Sequence, residues 1–216
     1  MTYFRELPNI QYPNFLENST GSLDYLTMKN IFLRGKLRDD LQNSFTVFQK
    51  YVVKDGQRPD QIAEEVYGSA TYDWVVVITA NIINFQNEWA LSSQQLYDYV
   101  VDKYGLEQAN DVHHHETVEV KDNSGRLIMP SGIIVAEDFT IPNPDIPTSF
   151  LTPVIAISNF EYETRINDDK QLIYILRPIY LNEFVTDMRD IATYGFNSEF
   201  INPTTIRASN PRTTSP

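Results

Sequence analysis

"YVVKDGQRPDQIAEEVYGSATYDWVVVITAN", residues 51–81, is the stretch on which the fold turns. Tyr51-Val52-Val53 favours a strand, because β-branched and aromatic side chains fit a pleated surface. Asp55-Gly56 supplies a turn. Pro59 stands where a helix loses nothing by lacking an N–H, and Asp60 sets a negative charge against the positive end of that helix. Ile62, Ala63 and Val66 then share one buried face, and Gly68 can close the helix in the left-handed conformation. Thr71 is placed to cap the next element, with Asp73 in its first turn. Trp74 to Ile78 is ambiguous: its valines favour a strand, yet Trp74, Val77, Ile78 and Asn81 also share a helical face.

A strand at residues 51–53 needs a neighbour to take its backbone hydrogen bonds, and "IINFQNEWALS", residues 82–92, has no period-two pattern to supply one. "QLIYILRP", Gln171 to Pro178, is the best candidate, and its unbroken apolar run suits a strand covered on both faces. The chain therefore divides into an extended N-terminal arm (1–24), a linker or helical segment (25–50), a core (51–82), an insertion with a helix and a β-hairpin (83–169), a closing strand and C-terminal helix (170–194), and a flexible tail (195–216).

Within the arm, Pro8, Pro13 and the loop "NSTGS" point to extended chain whose Tyr3, Phe4, Tyr12 and Phe15 need a surface to lie on. Residues 25–50 mix apolar side chains with a basic run, Arg34, Lys36 and Arg38. In the insertion, Ser92 and Gln95 form a capping box, Leu96, Tyr99, Val100 and Tyr104 line one helix face, and Gly105 ends it. Two β-rich runs surround Asn123-Ser124-Gly125, a hairpin signal. Pro142, Pro144, Pro147 and Pro153 then force a loop. From Ile157 a short helix, the run "LIYIL" and a helix started by Pro178 follow. Beyond Asn197, Ser, Thr, Asn and Pro leave almost nothing to bury, which predicts a disordered tail.

Composition narrows the function. The chain has 216 residues, 42% of them hydrophobic, enough for one sizeable core or two small ones. Its 29 acidic and 17 basic residues give a net charge of −12, the wrong sign for a nucleic-acid phosphate backbone. With no cysteine, neither disulfides nor thiolate metal sites hold the fold. The N-terminus has no basic region followed by an apolar core, and no segment approaches the ~20 apolar residues that span a bilayer. These features predict a chain used in the cytoplasm or in a particle assembled there, with no membrane partner.

Through Tyr51-Val52-Val53-Lys54, Asp55-Gly56, Ile62-Ala63, Tyr67-Gly68 and Asn81 the quoted segment resembles a LysM module, two helices packed on two antiparallel strands. "DGQRPDQIAEEVYG" followed by Trp74, with "NEWALSSQQLYDYVVDKYG", "HHHETVEVKD" and "ILRPIYLNEFVTDM" in the same order, resembles the LysM-like wedge subunit of T4-type phage baseplates. The likeness covers roughly residues 28–191. It implies an α+β fold with a LysM-like βααβ core, an inserted helix and hairpin, the extended arm and the disordered tail. It also implies a structural virion protein, not an enzyme and without a cofactor. Such a subunit joins the helical-bundle core of a wedge to adjoining proteins and helps close the wedges around the central hub of a contractile tail. Its implied partners are other wedge proteins and the hub or the sheath-initiating subunit. The competing reading is a glycan-binding module for peptidoglycan or chitin. Sugar-binding LysM turns carry small polar residues, whereas this chain has Gly56-Gln57-Arg58-Pro59.

The candidate partner-binding residues are Arg58, whose planar fork suits a carboxylate, with Pro59, Tyr72, His113 and His115. On a regular strand His113 and His115 share a face, and no third ligand stands at metal spacing, so the histidines read as an interface rather than a metal site. Glu64-Glu65, Glu161, Glu163 and Asp168-Asp169 read as solvated helix faces, since no nucleophile motif or phosphate loop accompanies them. Trp74 reads as core.

Overall fold

The structure, a computed structural model, describes residues 2–13, 25–33, 35, 46–146, 148–197 and 199–207. Phe15 and the basic run at Arg34, Lys36 and Arg38 lie outside them. In chain order the elements are α1 (Tyr3–Glu6), β1 (Asn9–Pro13), β2 (Tyr25–Lys29), β3 (Phe48–Val52), α2 (Pro59–Tyr67), α3 (Asp73–Thr79), α4 (Phe85–Glu88) and α5 (Ser93–Tyr104). There follow β4 (Val112–Thr117), β5 (Val120–Lys121), β6 (Leu127–Met129), β7 (Ile134–Val135), β8 (Ile141–Pro142), β9 (Phe150–Leu151), β10 (Val154–Ser158) and α6 (Asn159–Gln171). β11 (Leu172–Leu176), α7 (Leu181–Ile191), β12 (Phe200–Asn202) and β13 (Thr205–Arg207) complete the series. The fold is mixed helix and sheet, as an α+β chain should be. It divides into two units, one of Met1–Val52, Gln57–Trp89 and Ile173–Pro216, the other of Val53–Gly56 and Ala90–Leu172.

In the first unit β3 pairs with β11. The Arg177 N–H donates to the Val47 carbonyl (3.0 Å) and, at the other end, the Val53 N–H to the Gln171 carbonyl (2.8 Å), which together make the pair antiparallel and set Phe48 across from Leu176 and Lys50 across from Tyr174. The strand expected at residues 51–53 thus starts three residues earlier. Its partner is covered on both faces only at its end, where the neighbours Ile175 and Leu176 are both buried, while Leu172 and Tyr174 are exposed. Both helices of the quoted stretch form. α2 opens on Pro59 and closes on Gly68 at φ +72°, the left-handed conformation that costs glycine nothing. Residues 73–79 settle as helix α3, with Trp74, Val75, Val76, Ile78 and Thr79 all buried. A helix enclosed on nearly every side shows no amphipathic period, which is why its sequence reads either way.

The core joins Phe48, Trp74, Val75, Ile78, Leu176, Leu181 and Val185. The Trp74 ring lies 5.8 Å from Tyr3 and 5.9 Å from Phe184, centroid to centroid. Tyr67 ties α2 to the far strand by donating its hydroxyl proton to the Leu176 carbonyl (2.9 Å), and burial pushes the phenol's pKa up.

Among the described residues both termini carry more regular structure than composition suggests. Residues 9–13 of the arm are an internal strand of a four-stranded sheet ordered β12-β13-β1-β2, and residues 3–6 are a helical turn. The segment expected as a disordered tail contributes β12 and β13 to that sheet, with Asn9 opposite Thr205, Ile10 opposite Ile206 and Gln11 opposite Arg207 in a parallel pair. Strands of three residues depend heavily on backbone hydrogen bonds to a neighbour, so composition hides them.

In the second unit β10, β4 and β7 form one sheet, in that order. The Ser92–Gln95 capping box forms, the Ser92 N–H reaching Gln95 Oε1 at 3.1 Å and the Gln95 N–H reaching Ser92 Oγ at 3.3 Å. Leu96 and Val100 face inward with Ala109, whereas Tyr99, expected on the same face, is exposed. β5 and β6 form the hairpin around residues 123–125. Two further departures follow from short strands that propensity does not mark. Pro142, expected in loop, lies in β8 paired with Phe150 of β9, and the "short helix" from Ile157 is β10 followed by the 13-residue α6.

Candidate protein-interaction sites

The turn before α2 is rigid. The Trp89 indole N–H donates to the Gln57 carbonyl (3.0 Å), and the Gln57 side chain is buried. Gln57 Nε2 donates to Glu65 Oε2 (3.1 Å), and the Tyr51 hydroxyl lies 3.0 Å from the same oxygen. Beyond this clamp the Arg58 N–H donates to Gln61 Oε1 (3.0 Å), half of a capping box. The other half needs an acceptor on the Arg58 side chain, and a guanidinium has none. Freed from capping, the Arg58 side chain is 74% exposed and pairs with Asp60 at 3.1 Å, leaving its fork at the surface of a fixed turn.

Arg58 is thus exposed, whereas Pro59 is buried in the first turn of α2. Tyr72 is half-buried, packed on the Trp74 cluster with its ring edge-on to Tyr67 at 6.3 Å. Glu65, exposed as expected, also fastens the turn.

The histidines follow a different geometry from the expected one. The β4–β10 register shifts between Ile157 and Ser158, so that Ile157 faces His114 while Ser158 faces Val112. This bulge breaks the strand's alternation and brings adjacent residues to the same side. His113 and His114, not His113 and His115, therefore come together, with Nδ1 atoms 2.7 Å apart. Tyr162 of α6 stacks on His113 (4.0 Å) and meets His114 edge-on (5.8 Å). His114 Nε2 lies 2.9 Å from Glu116 Oε1, and Arg165 bridges Glu116 and Glu161, both at 2.7 Å. The hydrogen bond from Arg165, then that from His114, holds the Glu116 carboxyl below the usual carboxylate range. His115 is half-buried and pairs across to Ala156 and Val135. Among the described residues no group of three or more His, Cys, Asp and Glu is arranged to hold a metal ion.

α6 points Asn159, Glu163 and Asn167 inward, one per turn. Each has a specific task. Asn159 donates to the Gln108 carbonyl (2.9 Å), and Asn167 both accepts from the Leu91 N–H (2.7 Å) and donates to the Leu91 carbonyl (3.0 Å). Glu163 receives Lys103 Nζ at 2.6 Å and the Tyr104 hydroxyl at 2.8 Å. Burial pushes the Glu163 carboxyl up, but those two hydrogen bonds outweigh it and hold the group below its usual range. The i, i+4, i+8 spacing was readable; that this polar stripe faces inward was not.

A family model described as base plate wedge protein 53 matches residues 13–127, just over half of the chain, and the chain belongs to that family. No curated protein matches it. The family is one of structural baseplate proteins, so the chain is a virion protein of the phage tail baseplate and acts through other baseplate proteins. No helix among the described residues is long and apolar enough to cross a membrane.

Proposed function

We propose that this member of the wedge protein 53 family is an adaptor that joins the helical-bundle core of a baseplate wedge to adjoining proteins and helps close the wedges around the central hub. The family match over residues 13–127 carries the reading. The β3–α2–α3 segment, with β11 returned from far along the chain, is the LysM-like element of the adaptor, and Arg58 at its rigid turn is the leading contact for a partner carboxylate. Tyr72 at the rim of the core and His113 and His115 in the second unit are secondary contacts.

A LysM-like element invites the alternative of glycan binding. The turn argues against it: Gln57 is occupied by Glu65, Tyr51 and Trp89, and Pro59 is buried, so small polar groups are not presented to a sugar. Two measurements test the adaptor. Electron microscopy of purified baseplates should locate the chain as a ring component between neighbouring wedges, and its absence there would overturn the reading. Sedimentation with chitin or peptidoglycan should leave the protein in solution; saturable binding would restore the glycan alternative.

A further inference from the structure

The edge of the second unit's sheet is left open in a specific way. Among the described residues β10 pairs with β4 alone, with Ile155 opposite Glu116 and Ala156 opposite His115. The Val118 N–H donates to the Pro153 carbonyl (2.9 Å). In an antiparallel ladder that bond fixes the phase: residues 153, 155 and 157 turn their backbone groups towards β4, and residues 154 and 156 turn theirs away. A second bond agrees, because the Thr117 N–H donates to the Ile133 carbonyl (2.9 Å), which assigns Thr117 and His115 to β7 and leaves Glu116 for β10. The Val154 N–H is taken by the Thr152 carbonyl (2.9 Å). The outward groups are therefore the Ala156 N–H and C=O and the Val154 C=O, and Ala156 is exposed.

Edge strands are guarded by charge, proline, shortness or a bulge. Val154-Ile155-Ala156-Ile157-Ser158 has no charge and no proline within it, and its one irregularity lies at the Ile157–Ser158 end, beyond Ala156. Ile155, 48% exposed, shares a cross-strand row with Glu116 and with Ile134, 70% exposed. Charge then selects the occupant. The unit carries fifteen acidic and six basic residues, nine of the chain's twelve net negative charges. Lys103, Lys121, Arg126 and Arg165 already face carboxylates of their own unit. A second copy would bring the same excess against itself, whereas a strand flanked by Lys or Arg is attracted.

We propose that β10 is completed, in the assembled baseplate, by an extended basic segment of another baseplate protein, which pairs with Ala156 and sets an apolar side chain beside Ile155. Backbone pairing supplies the affinity and the flanking charges the choice of partner. This inference rests on the adaptor reading, and its test keeps the two apart.

Hydrogen exchange at the Ala156 amide is followed in the isolated full-length chain and in purified baseplates. The amide should exchange freely in the isolated chain and about 100-fold or more slowly in baseplates. Alongside it, Ala156→Pro removes only an outward N–H, which an edge strand tolerates. That variant should melt close to the parent and enter baseplates at least ~10-fold less well, an incorporation defect equivalent to at least about 1.4 kcal/mol. Equal exchange in both states overturns the proposal, as does a folded Ala156→Pro chain that incorporates normally. Should the variant not fold, the parent's exchange decides alone. Protection of Ala156 in a dimer of the isolated chain would assign the edge to a second copy and also overturn it. Absence of the chain from purified baseplates would sink the adaptor reading itself.

Discussion

Trp74 and Glu163 both point from a helix into the interior of their own unit, and different forces hold them there. Around Trp74 the neighbours are Phe48, Val75, Ile78, Leu181 and Val185, so enclosure is favourable by area alone, about 25 cal/mol for each Å² of apolar surface removed from water. Around Glu163 they are an ammonium and a phenol, with Asn159 and Asn167 one turn to either side. Burying that stripe would be costly if any group went unpaired, and none of the three does. The first unit is therefore specified by volume and apolarity, which tolerate modest change. The second adds to a smaller apolar cluster, Leu96, Val100 and Ala109, a layer specified by hydrogen-bond geometry, where a single loss strands its partner.

Substitution separates the two regimes. Trp74→Ala, which empties the centre of the apolar cluster, should cost about 3–5 kcal/mol in denaturant unfolding. A variant that unfolds with the parent's midpoint would move Trp74 out of the core. Asn167→Ala comes next. It leaves both backbone groups of Leu91 without a partner and should cost about 2–3 kcal/mol. A loss below about 0.5 kcal/mol would mean that water replaces the amide and that the polar stripe is not what fixes the unit.

The smallest effect on stability belongs to Arg58→Ala. Its pair with Asp60 is exposed, so unfolding should shift by no more than about 0.5 kcal/mol. Incorporation into baseplates, scored by the amount of chain in purified particles, should nevertheless fall. Normal incorporation would remove Arg58 from the contact surface.

How far each unit can be read from sequence follows the same division. In the first, Pro59, Gly68 and the Ile62-Ala63 pair mark α2 by local rules, and the unbroken run "LIYIL" identifies the partner of β3 across more than a hundred residues. Local rules fail for α3, where burial on nearly all sides erases the period, and for β12 and β13, which depend heavily on backbone pairing. In the second unit the capping box and the hairpin were legible. The inward polar stripe of α6 was not, because Asn159, Glu163 and Asn167 look the same whether they face water or Gln108, Lys103 and Leu91. At the candidate site the glycine turn and the proline-started helix around Arg58 were readable, but the clamp of Gln57 by Glu65, Tyr51 and Trp89 was not. The pairing of His113 with His114 depends on a bulge set by β10, which no local pattern marks.

Acid distinguishes the two cores most directly. Glu163 and Glu116 are both held below the usual carboxylate range when folded, against about 4.3 for an unfolded glutamate. A depressed carboxylate contributes stability that is complete above the unfolded pKa and is lost as pH falls through the folded one. In the first unit Glu6, which Arg189 holds low, joins α1 to α7, so its loss on protonation falls on those two elements rather than on α2 and α3. Native-state hydrogen exchange, corrected for intrinsic rates and run from pH 7 to below pH 4, should therefore show α5 and α6 losing protection while α2 and α3 keep theirs. Glu163→Gln should flatten that acid dependence in the second unit. Parallel loss of protection in both units, or earlier loss in α2 and α3, would contradict the assignment of an apolar core to one and a hydrogen-bonded core to the other.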